Sequence, residues 1–76
     1  MIHEHDTVVL SHDVETHGLK AGDVGAVVHC YEAGKAFEVE FITAEGKTIA
    51  LLTLKENDIR LMENSEILHV RNLASL

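Results

Sequence analysis

Histidine is the residue type in this sequence with the most evident chemical use. The 76-residue chain contains six histidines, and an extended N-terminus would project the rings of His3 and His5 to one side. With His12 or His17 these rings would make a candidate metal site. No pair of cysteines supports such a site, so solvated surface histidines are the favoured interpretation. We expect no metal and no other cofactor.

Two further groupings contain residue types that are used in nucleophilic catalysis. His29 precedes Cys30, but adjacent residues of a strand point to opposite faces, which separates their side chains. Cys30 shares its predicted face with Val24 and Val28 and is expected to be a small core residue. The contiguous Ser11-His12-Asp13 lacks the spacing of a catalytic relay. The sequence therefore predicts no catalytic residue, and we expect that the protein is not an enzyme.

The charge balance bears on the class of partner. Six Lys and Arg residues stand against 13 Asp and Glu residues, a net charge of −7. The basic residues are scattered, whereas a phosphate binder needs them clustered, so nucleic acid is disfavoured. Three aromatic residues, Tyr31, Phe37 and Phe41, are too few for base stacking or for a proline-peptide groove. Recognition of another protein, basic in charge, is the remaining expectation.

Length and segment composition limit the architecture and the location. A chain of 76 residues allows one domain with a thin core. No apolar run approaches the roughly 20 residues of a membrane span, and no secretory signal is visible. The single cysteine cannot form an internal disulfide, which fits a reducing compartment. We therefore expect a cytoplasmic protein with no membrane segment.

Period-two alternation of apolar and polar residues predicts a mostly β protein. Five strands are expected, over residues 6–10, 23–31, 37–41, 48–54 and 59–62. A long polar excursion follows the first strand, glycine-bearing turns occupy 32–35 and 44–47, and a helical turn is expected at 55–58. These elements predict an all-β, SH3-like five-stranded barrel over residues 1–62, because closure removes unpaired strand edges.

Residues 63–76 form a C-terminal extension of different character. Ile67, Val70 and Leu73 recur near helical spacing, with Leu68 and Leu76 beside them. A helix of about 12 residues is marginal in water unless it docks. Three alternatives stay open: docking on its own barrel, docking on a second subunit or partner, and disorder.

The predicted third and fourth strands supply the candidate binding residues. Glu38 and Glu40 alternate with apolar residues that should fill the core. Ile49 and Leu51 face away from the opposite apolar set of the fourth strand. An apolar patch of Ile49 and Leu51, flanked by Glu38 and Glu40, would suit a basic protein. The same patch could instead be covered by the C-terminal extension, or be shared between two copies in a symmetric homodimer.

Four sequence blocks resemble a small bacterial family known only as a domain of unknown function. The blocks are D-T-V-V-L at 6–10, G-L-K-A-G-D-V-G-A-V-V-H at 18–29, E-V-E-F at 38–41 and I-A-L-L-T-L at 49–54. The resemblance implies an SH3-like barrel in the bacterial cytoplasm. It also implies a partner encoded nearby, in a toxin–antitoxin or immunity arrangement, and it carries over no catalytic residue.

The glycine block has a physical interpretation and a second, weaker resemblance. Gly22 suits a left-handed turn, and Gly25 suits a close approach of the backbone. The block is also similar to a translation-associated barrel motif that binds ribosomal RNA. A nucleic-acid- or ribosome-associated barrel is therefore the alternative function, and it requires Lys20, Lys35 and Lys47 to gather on one face. The leading prediction remains a non-catalytic protein-interaction module, acting as the neutralising partner of a small neighbouring protein.

Overall fold

Five antiparallel strands form a single sheet with the order β4-β3-β2-β1-β5. The computed structural model describes residues 1–73. The strands are β1 (Thr7–Leu10), β2 (Val24–Tyr31), β3 (Ala36–Ile42), β4 (Thr48–Lys55) and β5 (Ile59–Leu61). Each lies within a residue or two of its predicted position, and the all-β prediction is confirmed. Among residues 1–73 no helix is long and apolar enough to cross a membrane.

The connections between strands are short turns, apart from the one that follows β1. That connection contains a 3-10 turn at Glu15–His17, and a second 3-10 turn at Glu32–Gly34 joins β2 to β3. The segment predicted as a helical turn at 55–58 is a hydrogen-bonded turn, in which the Asp58 N–H donates to the Lys55 carbonyl at 2.9 Å. No helix is assigned there.

The inward side of β3 is the centre of the core. Phe37, Val39 and Phe41 are almost completely buried, as their alternation with glutamates predicts. They pack with residues from every other strand and from the β1–β2 loop. The other buried members of this cluster are Val8, Leu10, Leu19, Val27, Ala50, Leu54 and Ile59.

A register shift between β2 and β3 changes which side chains of β2 face this core. Val27 pairs with Val39 but His29 pairs with Glu38, so Val28 is an extra residue in β2. The shift reverses the alternation of β2, because two residues of one strand then oppose one residue of its neighbour. Gly25 and Val27 are buried before the shift, whereas Cys30 turns inward after it.

The glycine expectations are both confirmed. Gly22 has φ +95°, and its N–H donates to the Leu10 carbonyl at 2.8 Å, closing the loop that enters β2. Gly25 lies on the buried side of β2, next to its neighbouring strand β3. A Cβ atom at this position would be 2.7 Å from Val39 Cγ1 and 3.0 Å from the Glu40 carbonyl oxygen. Only glycine permits this approach of the two strands without displacement.

The C-terminal extension contains no helix over residues 63–73, so the helical alternative is wrong for this segment. Two of the residues that suggested a helix lie in solvent, since Ile67 is 93% and Val70 88% exposed, whereas Leu73 is half-buried. A short helix without a docked apolar face is not stable. Leu76 lies outside the described residues. Ion pairs hold the extension against the sheet, as described below, which agrees with docking on its own domain.

Candidate functional site

The solvent side of β2, β3 and β4 carries most of the residues predicted to bind a partner. We call this surface the outer face; it consists of Val24, Ala26, His29, Tyr31, Glu38, Glu40, Ile42, Leu51 and Thr53. Leu51 lies directly opposite Glu40 in the β3–β4 ladder and is 53% exposed. An exposed leucine in mid-strand beside a carboxylate can contact an apolar group and a cation of one partner.

Neighbouring hydroxyl groups orient the two glutamates of the outer face. The Thr53 hydroxyl donates to Glu38 Oε1 at 2.6 Å, and the Thr48 hydroxyl donates to Glu40 Oε2 at 2.7 Å. The carboxylates remain partly exposed. Hydroxyl donors restrain the rotamers of both carboxylates while leaving acceptor positions for an incoming cation. The outer face therefore presents two fixed negative charges within an otherwise uncharged part of the sheet.

Ile49 does not join Leu51 on this face, contrary to the predicted patch. Phe41 pairs with Ala50 but Ile42 pairs with Thr48, so Ile49 is an extra residue in β4. Ile49 is partly buried and packs against the core cluster. The structure therefore brings Leu51, Glu38 and Glu40 together, and it places Ile49 at the end of the sheet.

The three lysines required by the nucleic-acid alternative do not gather. Lys35 lies just before β3, and Lys47 lies beyond its other end. The seven residues of β3 separate these ends by roughly 20 Å. Lys35 and Lys47 therefore lie at opposite ends of the sheet. Lys20, in the loop before β2, cannot be close to both of them, so the three lysines do not form one basic surface.

The N-terminal histidines are in a turn rather than in an extended segment. His5 has φ +73°, and the Asp6 N–H donates to the His3 carbonyl at 3.2 Å. The expected alignment of the two rings through strand geometry is therefore wrong. Within residues 1–73, no three His, Cys, Asp or Glu side chains come together as potential metal ligands.

His12 has a structural partner far away in the sequence. Its Nε2 lies 2.7 Å from Asp58 Oδ1, which joins the β1–β2 loop to the turn before β5. The hydrogen bond to Asp58 and a second one to the Asp13 carbonyl raise the pKa of His12. The hydrogen bonds from His12 and from the Lys55 N–H lower the pKa of Asp58. The two groups are therefore both charged at pH values between the lowered pKa of Asp58 and the raised pKa of His12.

Cys30 is a free thiol that is partly buried and packs against the core cluster. His29, its neighbour, is exposed and belongs to the outer face. There the His29 and Tyr31 rings pack edge to face, with their centroids 4.6 Å apart. The two side chains therefore diverge, as strand geometry predicts. The predicted grouping of Cys30 with Val24 and Val28 is wrong, because the register shift at Val28 intervenes and the two valines are exposed.

At the end of the sheet, Asp23 binds an arginine from the C-terminal extension. Arg71 Nε donates to Asp23 Oδ1 at 2.8 Å, and one terminal nitrogen of Arg71 donates to Asp23 Oδ2 and to the Gly18 carbonyl. Burial raises the pKa of Asp23, but the hydrogen bonds from Arg71 and from the Lys20 N–H outweigh it, and the pKa is lowered overall. We call this arrangement the arginine seat, defined by Asp23 and the Gly18 carbonyl.

A second arginine fixes the start of the extension. Arg60 of β5 binds both carboxylate oxygens of Glu66, at 2.8 and 2.6 Å. The hydrogen bonds from Arg60 and from the Glu63 N–H lower the pKa of Glu66 to about 2. We call residues 63–73 the strap, because Arg60 holds its first part and the arginine seat holds its last part.

The local sequence pattern does not predict the arginine seat or the contacts of the strap. Asp23 belongs to the quoted glycine block, so its position was conspicuous. Nothing in the local pattern, however, connects it with Arg71, which is 48 residues away. Long-range ion pairs leave no periodic signal in a single sequence.

The fold and the site define a small all-β domain with an acidic and apolar outer face, and with a seat for arginine at one end of its sheet. A family model described as Domain of unknown function (DUF4926) matches residues 4–61. The chain belongs to this family, and the match ends where β5 ends, before the strap. No curated protein and no solved structure matches the chain.

Proposed function

We propose that this protein is a non-catalytic interaction module that binds a basic protein through its outer face. The observation that carries the proposal is Leu51, an exposed leucine at the centre of β4 directly opposite Glu40. An isolated exposed leucine has no significance by itself. Here, however, it shares a face with two oriented carboxylates and with exposed Ile42, Val24 and Tyr31.

Charge supports the choice of a basic partner. Both arginines of the chain are already paired with carboxylates, and the net charge is −7. Such a surface attracts a cationic protein and speeds the encounter, whereas it repels a second acidic copy. A homodimer is therefore the less favoured use of this face.

The concrete form we propose is the neutralising partner of a small neighbouring protein, in a bacterial cytoplasm. The family resemblance supports the arrangement with a neighbour, and the free thiol of Cys30 fits a reducing compartment. The adjacency of β1 and β5 in the strand order fits an SH3-like barrel. The alternative, a ribosome-associated barrel, has less support because Lys35 and Lys47 lie at opposite ends of β3.

Affinity capture followed by a binding measurement tests this proposal. Tagged protein is used to capture proteins from a native lysate, with and without nuclease, and the captured protein is then purified and titrated against variants. We expect Leu51→Lys to weaken binding at least tenfold, because it removes an apolar contact worth about 2 kcal/mol and adds a charge that repels a basic partner.

Folding should survive this change, since the new lysine lies opposite Glu40, where unlike charges stabilise a strand pair. Ile67→Lys is the matched control, because it makes the same kind of change at an exposed residue of the strap. Equal binding by Leu51→Lys and wild type would refute the outer face as the site. Capture of RNA or ribosomal proteins that disappears with nuclease would favour the alternative function.

A further inference from the structure

The strap is attached mainly by arginine, and Leu73 at its end is half-buried in the cleft beside the sheet. Its middle residues project into solvent, with Ile67, Leu68 and Val70 all largely exposed. Its last part is held by Arg71, whose guanidinium makes three hydrogen bonds to the arginine seat. An attachment with so little buried apolar surface is replaceable by any segment that offers the same guanidinium contacts and better apolar ones.

The arginine seat is built by the domain and does not depend on the strap for its shape. The Lys20 N–H donates to Asp23 Oδ2 at 2.8 Å. The Asp23 N–H donates to the Lys20 carbonyl, and the Asp23 carbonyl accepts from the Leu10 N–H, at 2.9 and 2.8 Å. Gly18 and Asp23 lie within the residues matched by the family model, whereas Arg71 lies outside them. The seat is therefore preorganised, which lowers the cost of binding an arginine.

The seat is continuous with the outer face. In the described part of the chain, a cleft of about 580 Å³ lies between the strap and the end of the sheet, and its lining includes Asp23, Val24, Ile42 and Ile49. Val24 and Ile42 also belong to the outer face. A partner lying along the outer face would therefore reach Asp23 without leaving the surface.

We propose that the arginine seat is the docking point for an extended, arginine-bearing segment of the basic protein partner, and that the strap is its intramolecular competitor. This inference rests on the proposed function, and it adds the chemistry of the partner and a means of regulation. Arginine is required rather than lysine, because the planar guanidinium can bind both carboxylate oxygens and the Gly18 carbonyl together. A second acidic copy is disfavoured as the occupant by its charge.

A peptide that copies the end of the strap tests the seat without the partner. The probe is the capped peptide Ile-Leu-His-Val-Arg-Asn-Leu, identical to residues 67–73, titrated into the full chain and followed by ¹H–¹⁵N NMR. Wild type and Arg71→Ala are compared. We expect Arg71→Ala to bind at least tenfold more tightly, because a tethered competitor acts at an effective concentration in the millimolar range. Shifts should concentrate at residues 18–24.

Two control peptides keep the test independent of the stability of the protein. Replacing the arginine of the probe by alanine should abolish binding to Arg71→Ala, and replacing it by lysine should weaken binding severalfold. Failure of Arg71→Ala to bind the probe, or equal binding by wild type and Arg71→Ala, would overturn the proposal. So would dimerisation of wild type by exchange of straps, measured as a doubled native mass.

The outcomes also separate this inference from the proposed function. Leu51→Lys should leave probe binding unchanged, because Leu51 lies on β4, two strands away from β2, and does not line the cleft beside the seat. If the captured partner binds wild type and Arg71→Ala equally, the seat is not used although the interaction module stands. If the probe binds as expected and no protein is captured, the seat stands and the proposed function fails.

Discussion

Substitution of Gly25 by alanine should destabilise the domain although the backbone there is compatible with alanine. Gly25 does not have a positive φ, so conformational strain is not the cause. The added Cβ would lie 2.7 Å from Val39 Cγ1, 2.9 Å from Phe41 Cε1 and 3.0 Å from the Glu40 carbonyl oxygen. Val39 and Phe41 are completely or almost completely buried, so their side chains have no free volume into which to move.

The expected cost follows from these contacts. Overpacking a well-packed core costs about 1–3 kcal/mol, and three contacts that include a backbone oxygen place Gly25→Ala at the upper end. Alanine recovers about 0.4–1 kcal/mol by restricting the unfolded chain. The net loss is about 2 kcal/mol. A domain of this size has a free energy of unfolding of roughly 4–11 kcal/mol, and such a loss lowers Tm by about 8–16 °C.

Urea unfolding followed by circular dichroism measures this loss, with an unchanged m-value showing that the folded state is intact. Val39→Ala removes the nearest atom, so Gly25→Ala combined with Val39→Ala should lose about 1 kcal/mol less than the sum of the two single changes. Additive losses would show that the contact with Val39 is not the cause. A Gly25→Ala protein as stable as wild type would refute the close approach of β2 to β3.

Two further predictions concern pH. The stability difference between wild type and His12→Ala should be largest near pH 5–6, because the raised pKa of His12 stabilises the fold below its unfolded pKa of about 6.5. The contribution of His12 is lost as the pH rises through its raised pKa, and the contribution of Asp58 is lost as the pH falls through its lowered pKa. If urea titrations gave the same difference in unfolding free energy between wild type and His12→Ala at every pH from 3 to 8, the pairing would be contradicted. Self-association should increase as the pH falls toward the sequence pI of about 5.2, because the net charge of −7 at pH 7 then approaches zero. Light scattering that stays flat from pH 8 to 5.5 would disprove this effect.

Some features of the candidate site were predictable because they depend on neighbours in sequence. The exposure of Leu51 and the orientation of Glu38 and Glu40 follow from alternation along regular strands, so both predictions hold. The prediction that Ile49 shares a face with Leu51 and the prediction that Cys30 shares a face with Val24 and Val28 both fail because of register shifts. One extra residue in a strand moves the side chains that follow it to the opposite face of the sheet. The position of the extra residue depends on how the two paired strands fit together.

Local sequence accounts for the strands, the core face of β3 and the need for glycine at positions 22 and 25. These properties arise from the local alternation of side chains and from the conformational range of each residue. Tertiary packing, in contrast, sets the register shifts and the pairing of Asp23 with Arg71 and of His12 with Asp58. Those contacts join residues that are 46 to 48 positions apart, and they exist because packing of the sheet brings distant segments together. The strap is not helical for the same reason: its two ends are fixed by carboxylate–arginine pairs, and Ile67 and Val70, which a docked helix would bury, are exposed.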